Sequence, residues 1–210
     1  MRLCRVQLPA TARSKTAVIF RSSNQPYEES SRDCGGFEKR SVAYAKAPFT
    51  VNFEAGCGFV TVSECGWDYH ANGNTPKRMA GIYPMGGQVD HAVSAFLEDV
   101  HERGLSDKIL LVVTGEMGRT PRLNNNGGRD HYGELTPLLI AGGGLKMGQV
   151  VGQSDRNAAK AVGDSYRPAH LLGTILHTLF DVGRLRLESQ VPREIIRFAD
   201  TAQTIDQLLA

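Results

Sequence analysis

The chain has 210 residues, of which 41% are apolar and 22% are charged, and its net charge at neutral pH is +2. Such a composition is ordinary for a globular protein. The small, dispersed net charge argues against a nucleic-acid surface, which would require clustered lysines and arginines. Because no apolar run reaches the roughly 18–20 residues of a membrane helix, we also expect no membrane insertion.

The first 50 residues carry little periodic pattern. Serine-, asparagine- and glycine-rich stretches dominate, and only Thr16 to Phe20 has the composition of a short strand. Basic residues are present without a continuous apolar segment, so we predict no signal peptide. We therefore expect residues 1–50 to form an irregular or poorly ordered lead-in, and residues 51–210 to form the folded domain.

A strand, a helix and a strand follow one another after this lead-in. Phe59 to Val62 is β-branched and apolar, and apolar residues then recur at helical spacing from about Gly87 to Arg103. Gly104 provides a helix stop. Ile109 to Val113 is continuously apolar, which is typical of a strand buried on both faces of a parallel sheet. We predict a right-handed βαβ unit and an α/β fold.

The remaining elements are less regular. Pro137 to Ala141 predicts a second core strand, and Val150-Val151 predicts a short edge strand. Pro168 to Phe180 predicts a helix, with proline in its first turn. A long polar loop therefore lies between two core strands. Loops of this length are usually functional, and ligands of open α/β sheets lie beyond the carboxyl ends of the strands.

Two pairs of residues in these loops have the chemistry of metal ligands. In Asp68 and His70, the i, i+2 spacing of an extended segment points both side chains to one side, and this ligand set suits Zn²⁺, Mn²⁺ or Fe²⁺. A capped turn has the same spacing. Asp130 and His131 follow Gly127-Gly128, where the backbone can bend sharply. Adjacent residues of an extended chain point apart, so this pair could serve two different metals, or one metal and an outer hydrogen-bond partner of its ligands. An Asx turn beside a surface histidine is the alternative.

Other charged residues of the long loop are further candidates. Glu116 directly follows a buried strand, where a carboxylate acts as a ligand, as a base or as a helix cap. Arg119 and Arg129 are either solvated charges or a pair that recognises the oxygens of a phosphate or sulfate.

Several motifs occur in a characteristic order from about Ala55 onward. They are Gly66-Trp67-Asp68-Tyr69-His70, Leu97-Glu98-Asp99-Val100, Arg103-Gly104-Leu105, Gly115-Glu116-Met117-Gly118-Arg119-Thr120-Pro121, Gly128-Arg129-Asp130-His131-Tyr132 and Ala141-Gly142-Gly143-Gly144. In these motifs the chain resembles the DUF1501 family, a bacterial family of unassigned activity related to the alkaline phosphatase and sulfatase superfamily. The resemblance implies an alkaline-phosphatase-like α/β/α sandwich around a largely parallel sheet.

The resemblance also implies a chemistry. Superfamily members are usually hydrolases of phosphate or sulfate esters that use two divalent ions, here expected to be zinc or manganese. The implied metal ligands are Asp68, His70, Glu116, Asp130 and His131. Arg119 and Arg129 would then act catalytically, by stabilising charge on the transferring group. The expected substrate is a small-molecule or glycan ester.

The chain departs from the family pattern at its N-terminus. Relatives are longer there and are often exported, and in the superfamily that portion supplies the nucleophile and another metal-binding aspartate. We therefore expect a domain that is incomplete at its N-terminus, with no identifiable nucleophile. Two further hypotheses follow: a non-catalytic module that binds anionic glycans, and an inactive fragment that retains the fold.

Overall fold

A computed structural model describes residues 16–22, 58–64, 67–68, 70 and 82–209 of the chain. The elements below are numbered within those residues. The strands are β1 (Thr16–Ser22), β2 (Phe59–Glu64), β3 (Ile109–Thr114), β4 (Gly118–Arg119), β5 (His131–Tyr132), β6 (Leu138–Gly142), β7 (Gln153–Ser154) and β8 (Ala161–Val162). The helices are α1 (Ile82–Glu102), α2 (Pro168–Leu179), α3 (Val182–Leu185) and α4 (Arg193–Thr201), followed by a 3₁₀ turn at Asp206–Leu208.

The largest sheet has four strands in the order β2-β1-β3-β6. Strand β1 pairs in parallel with both β2 and β3, whereas β6 pairs antiparallel with β3. The strands predicted on either side of the first helix therefore do not pair with each other, because β1 lies between them. Because β1, β2 and β3 run in one direction, their carboxyl ends meet at the same edge of the sheet.

Strand β1 lies before the domain boundary that the sequence suggests at residue 51. Its Thr16–Ser22 span includes the only segment of the lead-in with a strand-like composition, and it belongs to the same sheet as β2 and β3. The rest of the predicted lead-in lies outside the described residues. The sheet therefore includes one segment from the first 50 residues.

Strand β3 is the centre of the core because it buries side chains on both faces. Ile109 and Leu111 pack on one side with Val60 and with Phe96 of α1. Leu110 and Val112 pack on the other side with Ile175 of α2 and with residues of the C-terminal helices. Alternate residues of a strand point to opposite faces, so a continuous apolar run requires cover on both sides. Helices supply that cover on each face of the sheet.

Helix α1 begins five residues earlier than the expected start at Gly87, and it ends close to the predicted end. Proline in the first turn costs no hydrogen bond, so Pro84 lies inside the helix rather than before it. The helix ends in a Schellman motif: the Gly104 N–H donates to the His101 carbonyl and the Leu105 N–H to the Val100 carbonyl, with φ of +64° at Gly104. Strand β3 begins at Ile109, a few residues after this helix end.

The second half of the chain differs from the sequence prediction in detail. The predicted strand at Val150-Val151 is wrong: these residues have no regular structure, and Val150 is 94% exposed. The nearby strands are instead β7 and β8, which form a hairpin. Helix α2 begins at Pro168 as predicted. Among the helices of the described ranges, none combines the length and apolar character that crossing a bilayer requires. An alkaline-phosphatase-like fold stays a prediction.

Candidate metal site

The candidate site lies in the segments that follow β2 and β3. The chain beyond β2 carries Asp68 and His70, and the chain beyond β3 enters β4 after a short bend. Because β2 and β3 are both parallel to β1, these two segments leave the sheet at the same edge. The order of the strands therefore brings together residues that are distant along the chain.

The long loop predicted between β3 and β6 contains a small antiparallel ribbon of β4 and β5. Its register places Gly118 opposite Tyr132 and Arg119 opposite His131. Residues directly opposite in such a pair project to the same face. Gly118 is required here because a Cβ atom at this position would lie 1.9 Å from the carbonyl oxygen of Leu135. The ribbon therefore presents Arg119 and His131 side by side.

The Oδ1 atom of Asp68 is the point on which this pair converges. It lies 2.8 Å from Nε2 of His131 and 3.1 Å from Nη2 of Arg119. Nε2 of His70 lies 3.1 Å from the same oxygen. Arg119 Nη2 also donates to the backbone carbonyl of Trp67, at 2.9 Å. One carboxylate oxygen therefore contacts two imidazoles and one guanidinium, and these three groups come from three segments of the chain.

Asp68, His70 and His131 form a group with the geometry of a cation site. Each offers one ligand atom, and these atoms all lie within 4.8 Å of one another. The side chains are 45%, 41% and 40% exposed, respectively, so an ion could reach them from solvent. The two imidazole rings lie with their centroids 4.7 Å apart and are tilted by 40°. Three of the five predicted metal ligands are therefore close together.

Asp130, a fourth predicted ligand, lies on the other side of the His70 ring. Its Oδ1 atom is 3.0 Å from Nδ1 of His70, so that ring stands between two carboxylates. A neutral imidazole carries a single N–H and can donate to only one of them. A cation at Nε2 would resolve this conflict, because it would bind that nitrogen together with Asp68 and leave the Nδ1 proton for Asp130.

Two residues that the sequence interpretation missed hold Asp130 in place. Asn124 Nδ2 donates to the Asp130 carboxylate at 2.9 Å, and the Asp130 backbone N–H donates to Oγ1 of Thr120 at 3.0 Å. Asn124 belongs to a run of three asparagines before two glycines. That composition predicts a turn, and it gives no signal as to which asparagine faces the site.

The two carboxyl groups of the site have lowered pKa values. The pKa of Asp68 lies below its ordinary 3.8, chiefly because the side chain accepts a hydrogen bond from His131 and then one from Arg119. The pKa of Asp130 is lowered mainly by the hydrogen bond from Asn124, with a second contribution from His70. Both side chains are therefore ionised at neutral pH, which is the state that binds a cation.

The remaining candidate residues have other surroundings. Arg129, predicted to be catalytic, donates from Nη1 to the carbonyl oxygens of Thr120 and Pro121, at 2.6 and 2.7 Å, so it braces the loop. Arg119 contacts Asp68 directly. Glu116 is exposed and lies outside the group of Asp68, His70 and His131. Its assignment as a metal ligand stays a prediction.

Comparison with known proteins identifies the family. A model of the family described as "Protein of unknown function (DUF1501)" matches residues 50–203, so the chain belongs to this family. No curated protein matches the chain, and no solved structure matches it. The matched range contains every residue of the candidate site.

Proposed function

We propose that this member of the DUF1501 family is a metal-dependent hydrolase of phosphate or sulfate esters, with Asp68, His70 and His131 as the ligands of a divalent ion. The observation that carries the proposal is the convergence of three ligand atoms within 4.8 Å, contributed by two segments that are 60 or more residues apart. A surface histidine or a local Asx turn would not require such long-range convergence.

The donor set suggests which ion would bind. One carboxylate oxygen and two imidazole nitrogens suit Zn²⁺, Mn²⁺ or Fe²⁺ rather than calcium or magnesium, which prefer oxygen ligands. Structural zinc sites usually have four protein ligands, whereas catalytic sites keep a coordination position for water or substrate. Three protein ligands with side chains partly open to solvent therefore favour a catalytic site.

Asp130 is better suited to an outer role than to direct coordination. Histidine ligands commonly donate their second ring N–H to a carboxylate, which fixes the tautomer and the orientation of the ring. Asp130 lies at hydrogen-bond distance from Nδ1 of His70, on the opposite side of the ring from Asp68. We therefore propose that Asp130 holds the His70 ring instead of binding the ion directly.

The other residues of the site have distinct tasks in this proposal. When bound, the ion would supply Lewis acidity to an ester oxygen and lower the pKa of a water molecule. Arg119 fixes the orientation of Asp68 through its hydrogen bonds to the Asp68 carboxylate and to the Trp67 carbonyl. Of the two candidate arginines, we propose Arg119 as the one that stabilises an anionic ester, because it contacts Asp68 directly whereas Arg129 contacts backbone carbonyls. Arg129 maintains the loop that carries Asp130.

A non-catalytic binding module is the second candidate, and one observation favours it. Thr120 is the hydroxyl that hydrogen-bonds to this site within the described part of the chain. Its Oγ1 atom already donates to the Arg122 carbonyl and accepts from the Asp130 N–H. It is therefore poorly placed to act as a nucleophile. A module of this kind would bind a sulfated glycan through the divalent ion at Asp68, His70 and His131, and it would not hydrolyse the sulfate ester.

Hydrolysis of two chromogenic esters tests the first candidate against the second. p-Nitrophenyl phosphate and p-nitrophenyl sulfate are incubated with the protein in Zn²⁺ or Mn²⁺. We expect metal-dependent hydrolysis that is lost in His131→Ala and kept in His91→Ala, which removes an exposed histidine from α1. Binding of a sulfated glycan by a metal-loaded protein that hydrolyses neither ester would instead support the binding module.

A further inference from the structure

Asn124 makes hydrogen bonds with both ends of its side-chain amide and with its backbone N–H. Its Oδ1 atom accepts hydrogen bonds from the backbone N–H groups of Asn126, at 3.0 Å, and of Gly128, at 2.9 Å. Its own backbone N–H donates to the Gly128 carbonyl at 2.8 Å. Backbone N–H groups can only donate, so these two partners identify the oxygen end of the side-chain amide. The nitrogen end must then point away from the turn.

That nitrogen end points to the candidate metal site. Nδ2 of Asn124 lies 2.9 Å from Oδ1 of Asp130 and 3.4 Å from the backbone carbonyl oxygen of His70. Both partners are acceptors, so each of the two amide hydrogens has a suitable target. The oxygen of Asp130 that receives this bond is the same oxygen that contacts Nδ1 of His70. Asn124, Asp130 and His70 thus form a continuous chain of hydrogen bonds.

We propose that Asn124 is a positioning residue of the metal centre: through Asp130 it holds the His70 ring with Nε2 directed at Asp68 and His131. This inference rests on the proposed metal site. The Asp130 side chain is 54% exposed, so packing alone does not fix its rotamer. The amide of Asn124 supplies the missing constraint, and the partly buried turn keeps that amide in place.

The positioning role can be tested separately from support of the loop, because each uses a different end of the Asn124 amide. The loop contacts use Oδ1, whereas the site contacts use Nδ2. Asn124→Asp keeps an acceptor for the two backbone N–H groups and replaces the donor that faces Asp130 with a second carboxylate oxygen. It therefore removes the positioning contact and keeps the turn. Asn124→Ala removes both.

The test measures Zn²⁺ affinity and stoichiometry by competition with a chromophoric chelator. Outer contacts of metal ligands typically contribute about tenfold to a hundredfold to affinity. We expect Asn124→Ala and Asn124→Asp to weaken Zn²⁺ binding by that factor while the stoichiometry stays unchanged. The matched control is Asn126→Ala, because it removes an exposed side chain and retains the backbone N–H that donates to Asn124. It should bind Zn²⁺ like the parent protein.

A double-mutant cycle shows whether Asn124 acts through Asp130. If it does, adding Asn124→Ala to Asp130→Ala should weaken Zn²⁺ binding by less than about twofold beyond Asp130→Ala alone. The reason is that Asp130→Ala has already removed the carboxylate through which Asn124 acts on His70. A role confined to loop stability would instead give independent losses that multiply. Urea unfolding of each variant confirms that folded proteins are compared. If Asn124→Ala does not fold, the Zn²⁺ affinity of Asn124→Asp tests whether Asn124 acts through Asp130.

Three results would overturn the proposal, and they distinguish failure of the positioning role from failure of the metal site. If the parent protein binds Zn²⁺ and Asn124→Asp binds it as tightly or more tightly, the positioning role is wrong while the metal site stands. Multiplicative losses in the cycle lead to the same conclusion. If the parent protein binds no Zn²⁺ at all, the metal site fails and the positioning role fails with it.

Discussion

Arg119 and His131 lie directly opposite each other in the β4–β5 pair, and both contact the same atom, Oδ1 of Asp68. The register of a ribbon only two residues long on each side therefore decides the geometry of the site. A shift of one residue in either strand would turn the side chain of that strand to the other face and separate the pair. The features that fix this register are as important to the site as the ligands themselves.

Gly118 is the first such feature. In Gly118→Ala the new Cβ would approach the Leu135 carbonyl oxygen to 1.9 Å, so the ribbon must move. We expect a loss of about 1–3 kcal/mol in the free energy of unfolding, as is typical of overpacking, together with weaker metal binding. Urea unfolding measures the first effect, and a zinc titration measures the second.

Gly133→Ala is the matched control for this change. A Cβ atom at Gly133 would meet nothing within 4 Å, although the residue lies just beyond the same ribbon. We expect its unfolding free energy to stay within about 0.5 kcal/mol of the parent value. Equal effects of the two substitutions would show that the close approach at Gly118 does not constrain the ribbon.

The acid titration of Asp68 provides a second prediction. In the metal-free protein its pKa lies below 3.8, and the hydrogen bond from His131 is the largest cause. His131→Ala should therefore raise this pKa toward 3.8, and by more than Arg119→Ala does. Carboxyl ¹³C NMR during an acid titration measures both. A larger rise in Arg119→Ala than in His131→Ala would contradict the order of these causes.

The sign of the associated stability effect follows from the same shift. Because the folded pKa of Asp68 is below its ordinary value, the ionised side chain contributes stability that is fully present above pH 3.8. That contribution is lost as the pH falls through the folded pKa. It is small, because the side chain is 45% exposed and screened by solvent.

Thermal unfolding in the presence and absence of metal provides a third prediction. A ligand at a hundredfold excess over its Kd stabilises the folded state by about 2.7 kcal/mol. For a chain of this size, that corresponds to a rise in Tm of roughly 5–10 °C. We expect Zn²⁺ to raise Tm and a chelator to reverse the rise. His70→Ala should abolish the response, whereas His91→Ala should keep it. An equal rise in both variants would place the bound ion elsewhere.

Local patterns in the sequence carry a large part of this account. The continuous apolar run of β3 predicts a strand that is buried on both faces, and it lies between helices in the structure. Asp68-x-His70 and Asp130-His131 have the residue types of metal ligands. In both cases neighbouring residues supply the signal, so it is visible without knowledge of the fold.

Relationships between distant residues are not visible in this way. Asp68 and His131 are separated by 63 residues, and only the order of the strands and the register of the ribbon bring them together. The central position of β1 depends on pairing with β2 and β3, which a short apolar segment does not reveal. Asn124 is one of three consecutive asparagines, and its role depends on which one the turn directs toward Asp130.

Elemental metal analysis tests the central claim most directly. The parent protein is purified, gently dialysed and compared with Asp68→Ala/His131→Ala and with Asp90→Ala/His91→Ala, which removes the same two residue types from the exposed face of α1. We predict about one equivalent of a transition metal per chain in the parent and in the α1 variant, and none in Asp68→Ala/His131→Ala. No uptake of Zn²⁺ or Mn²⁺ by the parent, or full occupancy in Asp68→Ala/His131→Ala, would contradict the account.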